Sequence, residues 1–128
     1  MTPISQHMTR QPITIDRHAS LARAHRLMQE NGIHHLPVVE SGRVVGIVHL
    51  CELGLLEAVA PFRFDAVDTE DAMSEAFTVV ADAPVDVVIE SMARGGFAGA
   101  AIVDDESRLV GIFTTADALQ LLLDRLHN

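Results

Sequence analysis

The sequence predicts a mixed α/β (α+β) fold in which one β-α-β-β-α unit is built twice within 128 residues. Three observations carry this: the chain repeats itself at a nearly constant offset, each copy alternates β-prone runs with helix-period segments, and start and stop residues recur at matching places. Laying TIDRHASLARAHRLMQENGIHHLPVVESGRVVGIVHLCEL over TVVADAPVDVVIESMARGGFAGAAIVDDESRLVGIFTTADAL matches Thr14 with Thr78, Met28 with Met92, Gly32 with Gly96 and Gly46 with Gly111. The offset moves from 64 to 65 between Val39/Val103 and Arg43/Arg108, where turn residues accumulate and an insertion disturbs no ladder. Residues 1–60 are the first repeat, 61–72 a linker and lead-in, and 73–128 the second repeat.

Each unit opens on a short β-prone stretch, Ile13 to Ile15 and Thr78 to Val80. The first helix, from about Leu21 to Asn31, places Leu21, Ala24, Leu27 and Met28 on one face, with Ser20 as N-cap and Gly32 as stop. Its twin repeats the spacing with Val85, Val88, Ile89 and Met92, opened by Pro84 near the first helical position and closed by Gly95-Gly96. Two apolar runs follow in each copy, Leu36 to Val39 with Val44 to Val48 and Ala100 to Val103 with Leu109 to Phe113, and read as paired buried strands. A second helix ends each copy, its inner face marked by Leu50, Leu53 and Leu56 in the first and by Leu119, Leu122, Leu123 and Leu126 in the second. One unit of this size leaves a sheet face bare, so the copies are expected to pack sheet to sheet about a pseudo-twofold axis, with crevices between them for a ligand.

Composition narrows the function. The chain holds no Lys, which removes Schiff-base chemistry, and one Cys, Cys51, which rules out an internal disulfide. Residues 1–60 carry five Arg against five acids, whereas 61–128 carry four Arg against thirteen, so the net charge of -9 sits in the second half. An acidic chain without Lys, Tyr or Trp offers neither a basic stripe nor the usual stacking platforms, so nucleic acid is not an expected partner. No apolar run approaches the roughly 18 residues of a membrane span. The start, MTPISQHMTR, has neither the basic region nor the apolar stretch of a secretory signal, and the expectation is a cytoplasmic protein with no membrane role. His34 and His35 are adjacent on a strand and point to opposite faces, so no metal is expected there. No nucleophile-elbow or metal-binding signature supports catalysis, and the reading is of a protein that is not an enzyme and has no catalytic residues.

The order strand, helix, GIHHLPVVE, turn, VVGIV, helix, then GFAGAAIVD, turn, LVGIFTTAD, helix, resembles a tandem pair of cystathionine β-synthase (CBS) domains over nearly the whole chain. Gly-Ile-Phe-Thr-Thr-Ala-Asp, Gly111 to Asp117, is similar to that family's Gly-x-x-Ser/Thr-x-x-Asp pattern at a strand-to-helix junction. The resemblance implies a Bateman module: a regulatory sensor of AMP, ATP or S-adenosylmethionine in the cleft between repeats, acting on an unidentified partner protein. It further implies a disc-like homodimer, with the adenosine compound as a regulator and no resident cofactor.

Chemistry supports the motif independently. Thr114 stands where free N–H groups and the helix dipole attract a phosphate, and the Asp117 carboxylate, one turn on, can accept from both ribose hydroxyls. Gly111 allows close approach or close packing where the strand leaves the sheet. The resemblance places adenine near Thr78 and Val79 and against Gly99 to Ala101. In the first copy His49 and Glu52 replace Thr and Asp, and an altered second site would hold them with Thr14, Ile15, His35 and Pro37. The competing reading of Thr114-x-x-Asp117 is a capping box, and of Glu52 a residue that favours the helix dipole. The acidic field ranks AMP, adenosine or S-adenosylmethionine above ATP. A ligand-free module for dimerisation or docking is the alternative function.

Overall fold

The computed structural model describes residues 2–127. In chain order its strands and α-helices are β1 (Thr9–Arg10), β2 (Ile15–Asp16), α1 (Leu21–Asn31), β3 (His35–Glu40), β4 (Arg43–His49), α2 (Leu50–Val59), β5 (Thr78–Val80), α3 (Val85–Gly95), β6 (Gly99–Val103), β7 (Leu109–Thr114) and α4 (Thr115–Leu126). Three single-turn 3-10 helices, Ile4–Gln6, Pro61–Arg63 and Thr69–Asp71, complete the list. The result is a mixed α/β structure with two sheets, four α-helices and two repeats. Among the described residues no helix is long and apolar enough to cross a membrane.

The first compact unit in sequence is Ile13–Ala76. Its α1 begins where the Ser20 hydroxyl accepts the Arg23 N–H at 3.2 Å and ends at Gly32, whose φ of 63° is the left-handed turn a glycine takes without strain. The spacing buries Leu21, Ala24 and Met28, with Leu27 at the margin, against Leu36, Val38 and Val48 of the sheet β2-β3-β4. The β3–β4 turn carries Ser41 and Gly42 at φ 51° and 80°, the left-handed pair that a tight hairpin requires.

Residues 61–72 are not a free linker. Phe64 is buried in this unit's core, its ring edge-on to buried His25, and the Leu21 and Ala22 N–H groups donate to the Val67 and Phe64 carbonyls. Thr69 is wholly buried and donates its hydroxyl to the Ala19 carbonyl at 2.8 Å. Ser74 and Ile47 then exchange both backbone hydrogen bonds along the free edge of β4.

The other unit joins Met1–Pro12 to Phe77–Asn128. Its sheet runs β1-β7-β6-β5, with β5 parallel to β6 and the remaining pairs antiparallel. Val85, Val88 and Met92 of α3 pack on Ala100, Ile102 and Phe113, and Ile4 enters the same cluster from the N-terminal segment. Ile4 also donates its N–H to the Ala83 carbonyl at 2.7 Å. Pro84 is the N-cap residue of α3, one position before the first helical residue.

This division differs from the consecutive one, 1–60, 61–72 and 73–128, because the N-terminal segment pairs with the second repeat's sheet and residues 61–76 stay with the first. Residues 4–9 do for β7 what residues 69–74 do for β4. The twin glycines record it: a Cβ on Gly111 would meet the Met8 side chain and lie 3.1 Å from the Thr9 carbonyl oxygen, and one on Gly46 would meet Met73 and lie 3.0 Å from the Ser74 carbonyl oxygen. Both units also share a strand irregularity, at Val38/Val39 and at Ile102/Val103.

Two expected helix faces turn out differently. On α4 the core side is Ala118 and Leu121, whereas Leu119, Leu122, Leu123 and Leu126 are exposed, Leu126 by 71 %. On α2 Leu53 is buried and Leu50 partly so, but Leu56 is exposed. A leucine stripe fixes a helix's apolar side, and the α4 stripe is apolar on the side that its own unit leaves open.

Candidate functional site

In the second repeat, register decides which residues meet. Thr114 ends β7 opposite Gly99, the first residue of β6, and Thr78 starts β5 opposite Ala101. Alternation along the strands puts Thr78, Gly99, Ala101 and Thr114 on one face at one end of the sheet, while Ala100, Ile102 and Phe113 point into the helix-covered core. Val79 also belongs to the core side, so only its backbone remains for the expected ligand contact. Ile15, its counterpart in the first repeat, is likewise a core residue.

Asp117 occupies the third position of α4. Its Oδ2 accepts the Thr114 backbone N–H at 2.8 Å, which is the carboxylate's arm of a capping box, and also the Thr114 hydroxyl at 3.3 Å. Thr115 N–H donates to the Ala98 carbonyl at 3.0 Å, fixing the helix start against the β6 entry. The capping reading and the ligand reading therefore fall on the same two residues. They are compatible, because the cap engages Oδ2 and a carboxylate has a second oxygen to offer. Gly111 is explained by packing: its α-hydrogen faces Met8.

The first repeat shows the altered version. The Leu50 N–H donates to the His34 carbonyl at 2.9 Å, matching the Thr115 bond, but His49 makes no side-chain cap on α2. Glu52 is exposed in the first turn. His35 and His49 face each other across the β3–β4 ladder with ring centroids 5.1 Å apart, edge to face, and Pro37 lies buried next along the same face. Half-buried, His35 titrates below the usual histidine value of 6.5, chiefly through desolvation and secondarily through the charges of His49 and His34. Thr14 is half-buried just before β2.

Two features escaped the sequence reading. In the unit Ile13–Ala76, Arg17 bridges Glu40 at 2.8 Å and Glu70 at 2.7 Å, and both carboxylates hold it firmly protonated. Elsewhere, α3 and α4 flank a groove of about 740 Å³ whose wall is mostly apolar, from Val85, Ile89, Leu121 and Leu122, though Asp86, Glu90, Asp124 and Arg125 also border it. None of Thr78, Gly99, Ala101, Thr114 or Asp117 lines it. Its mostly apolar wall, with acidic neighbours Asp86, Glu90 and Asp124, suits an apolar side chain better than a phosphate-bearing nucleotide.

The family model of the CBS domain matches twice, at residues 4–53 and 69–124, the two matches starting 65 residues apart as Gly46 and Gly111 stand. Among curated proteins, L-aspartate semialdehyde sulfurtransferase of Methanocaldococcus jannaschii is 30% identical over 122 residues, which cover 94% of this chain but 23% of that relative. The chain thus spans about a quarter of the length of the first curated relatives it matches. Among solved structures, the CBS domain pair of protein MJ0100 in complex with 5′-methylthioadenosine and S-adenosyl-L-methionine superposes with a TM-score of 0.85 at 29% identity, covering 98% of each chain. The structure of CBSX2 in complex with AMP shares the fold, with a TM-score of 0.84 at 19% identity, over 97% of this chain and 98% of that one. Matched in both of its repeats, the chain belongs to the CBS domain family, as a tandem pair.

Proposed function

We propose that this CBS pair is a regulatory sensor that holds an adenosine compound at its second repeat and passes the occupancy on to a partner protein. One observation carries the reading: Thr114, to which Asp117 is hydrogen-bonded at the N-terminus of α4, shares a sheet end and a face with Thr78, Gly99 and Ala101. That combines phosphate donors, a carboxylate for ribose and a small-residue floor for a flat base. The MJ0100 pair, with its two adenosine ligands, supports this ligand class. A net charge of -9 favours S-adenosylmethionine, adenosine or AMP over ATP. The ligand is a regulator rather than a cofactor, the module catalyses no reaction of its own, and it works in the cytoplasm.

The test is a thermal-shift screen of AMP, adenosine, S-adenosylmethionine and ATP, because a ligand at about 100 times its Kd adds about 2.7 kcal/mol to stability. If none of the four raises the melting temperature, the sensor reading fails.

A second reading is favoured by the outward leucines of α4. Leu119, Leu122 and Leu126 beside the α3–α4 groove form an apolar surface that a second copy would cover, giving a homodimer. Leu122→Asp should convert the dimer to a monomer in sedimentation analysis. The wild-type chain sedimenting as a monomer at high micromolar concentration would overturn it.

A further inference from the structure

We propose that His18, Asp68 and Glu70 form a divalent-cation site of the zinc class, which clasps the segment before β5 onto the loop that leads into α1. The site is independent of the nucleotide reading.

The three side chains offer one imidazole nitrogen and two carboxylate oxygens, all within 4.8 Å of one another. His18 Nδ1 stands 3.6 Å from Glu70 Oε1 and 3.9 Å from Asp68 Oδ2. Neither separation is a hydrogen bond. The ring lies within ion-pair range of both carboxylates and is hydrogen-bonded to neither. Ligand atoms about 2.0–2.2 Å from one tetrahedral zinc lie roughly 3.3–3.5 Å apart, so small rotations of exposed His18 and Asp68 close the set.

The surroundings prepare the arrangement. The donors come from positions about fifty residues apart, yet their backbones are fastened together: Glu70 N–H donates to the Arg17 carbonyl at 3.0 Å and Thr69 N–H to the Ala19 carbonyl at 2.8 Å. Buried Thr69 adds its hydroxyl to the Ala19 carbonyl. Glu70 is oriented from behind, since its Oε2 is held by Arg17 Nε at 2.7 Å, which leaves Oε1 turned toward His18. A charged neighbour gripping one oxygen of a ligating carboxylate is the usual outer support of a metal site. Arg17 does not cancel the attraction, because Glu40 also pairs with it and Asp16 adds a further carboxylate beside the His18 backbone. One imidazole with two carboxylates suits zinc better than magnesium or calcium, which prefer all-oxygen shells.

The experiment is calorimetric titration of the full chain with zinc chloride, together with amide NMR mapping of the bound state. Expected are one site per chain, amide shifts centred on residues 17–19 and 67–71, and binding at least about tenfold weaker in both His18→Ala and Asp68→Asn. Both side chains are substantially exposed, so these variants retain the fold. Zinc affinity within about threefold of native in both variants, shifts centred on His34, His35 or His49 instead, or no binding at millimolar zinc would each overturn the proposal.

Discussion

Replacing Asp117 with Ala separates the two roles that its carboxylate can hold. In the free protein Oδ2 accepts the Thr114 N–H at 2.8 Å, and losing that cap should cost about 1 kcal/mol of stability. In the proposed complex the other oxygen meets ribose hydroxyls, and one or two charge-assisted bonds at about 1.5–3 kcal/mol each imply a loss of roughly 1.5–6 kcal/mol. That corresponds to at least roughly 10-fold in Kd. Urea melts read the first quantity, and calorimetry with S-adenosylmethionine and AMP reads the second. Glu52→Ala is the matched control: α2 has no side-chain cap, so this change removes only the helix-dipole contribution and should lower the urea midpoint less than Asp117→Ala does. A Kd for Asp117→Ala within about threefold of native, with the urea midpoint lowered, would show that the carboxylate is a cap and nothing more.

Three further outcomes follow from the packing and electrostatics. Gly111→Ala pushes a methyl group against Met8 and the Thr9 carbonyl and should cost about 1–3 kcal/mol in urea melts, part of it restored when Met8→Ala is added; an unchanged midpoint would refute the contact. Because His35 is held below 6.5 in the folded state, the unfolded chain takes up the proton first as pH falls. Stability should therefore drop below about pH 6.5, and His35→Asn should flatten that part of a melting-temperature profile. Finally, Ile13–Ala76 should fold alone as a contiguous unit, whereas 77–128 should not, since it lacks β1 and the buried Ile4. Amide NMR dispersion checks both, and a dispersed spectrum from 77–128 would contradict the division.

The parts legible in the sequence are those fixed by local chemistry. Ser20 and Gly32 bound α1 at both ends, and Val85, Val88 and Met92 announce the buried side of α3. What could not be read depends on register or on distant segments. The leucines of α4 look like a core stripe because periodicity reports which side is apolar, not which side is covered. The lead-in exchange was hidden because Thr9–Arg10 is too short for a strand pattern, although Met8 and Met73, spaced as Gly46 and Gly111 are, were a signal. Phe64, one of two aromatics in an apparent linker, was another. At the site, Thr114 and Asp117 are neighbours in sequence and could be paired by spacing. The His35–His49 contact needed the β3–β4 register, and His18 with Asp68 and Glu70 needed the fold.

The motif that first pointed to a ligand can now be divided. Glycine stands at its first position in both repeats, Gly46 and Gly111, whereas threonine and aspartate stand only in the second. The structure gives the glycines one job in both units, to admit a methionine and a carbonyl from a crossing lead-in segment, and that job makes no reference to any ligand. A side chain at either position would press on backbone that cannot easily retreat, so the fold alone is enough to retain them. Thr114 and Asp117 have no such hold, since α2 begins at the equivalent place with His49 and Glu52 and without a side-chain cap. If capping were all that the pair supplied, the first repeat shows that the helix forms without it. The residues that differ between the copies, rather than those that agree, are therefore where ligand recognition is to be sought.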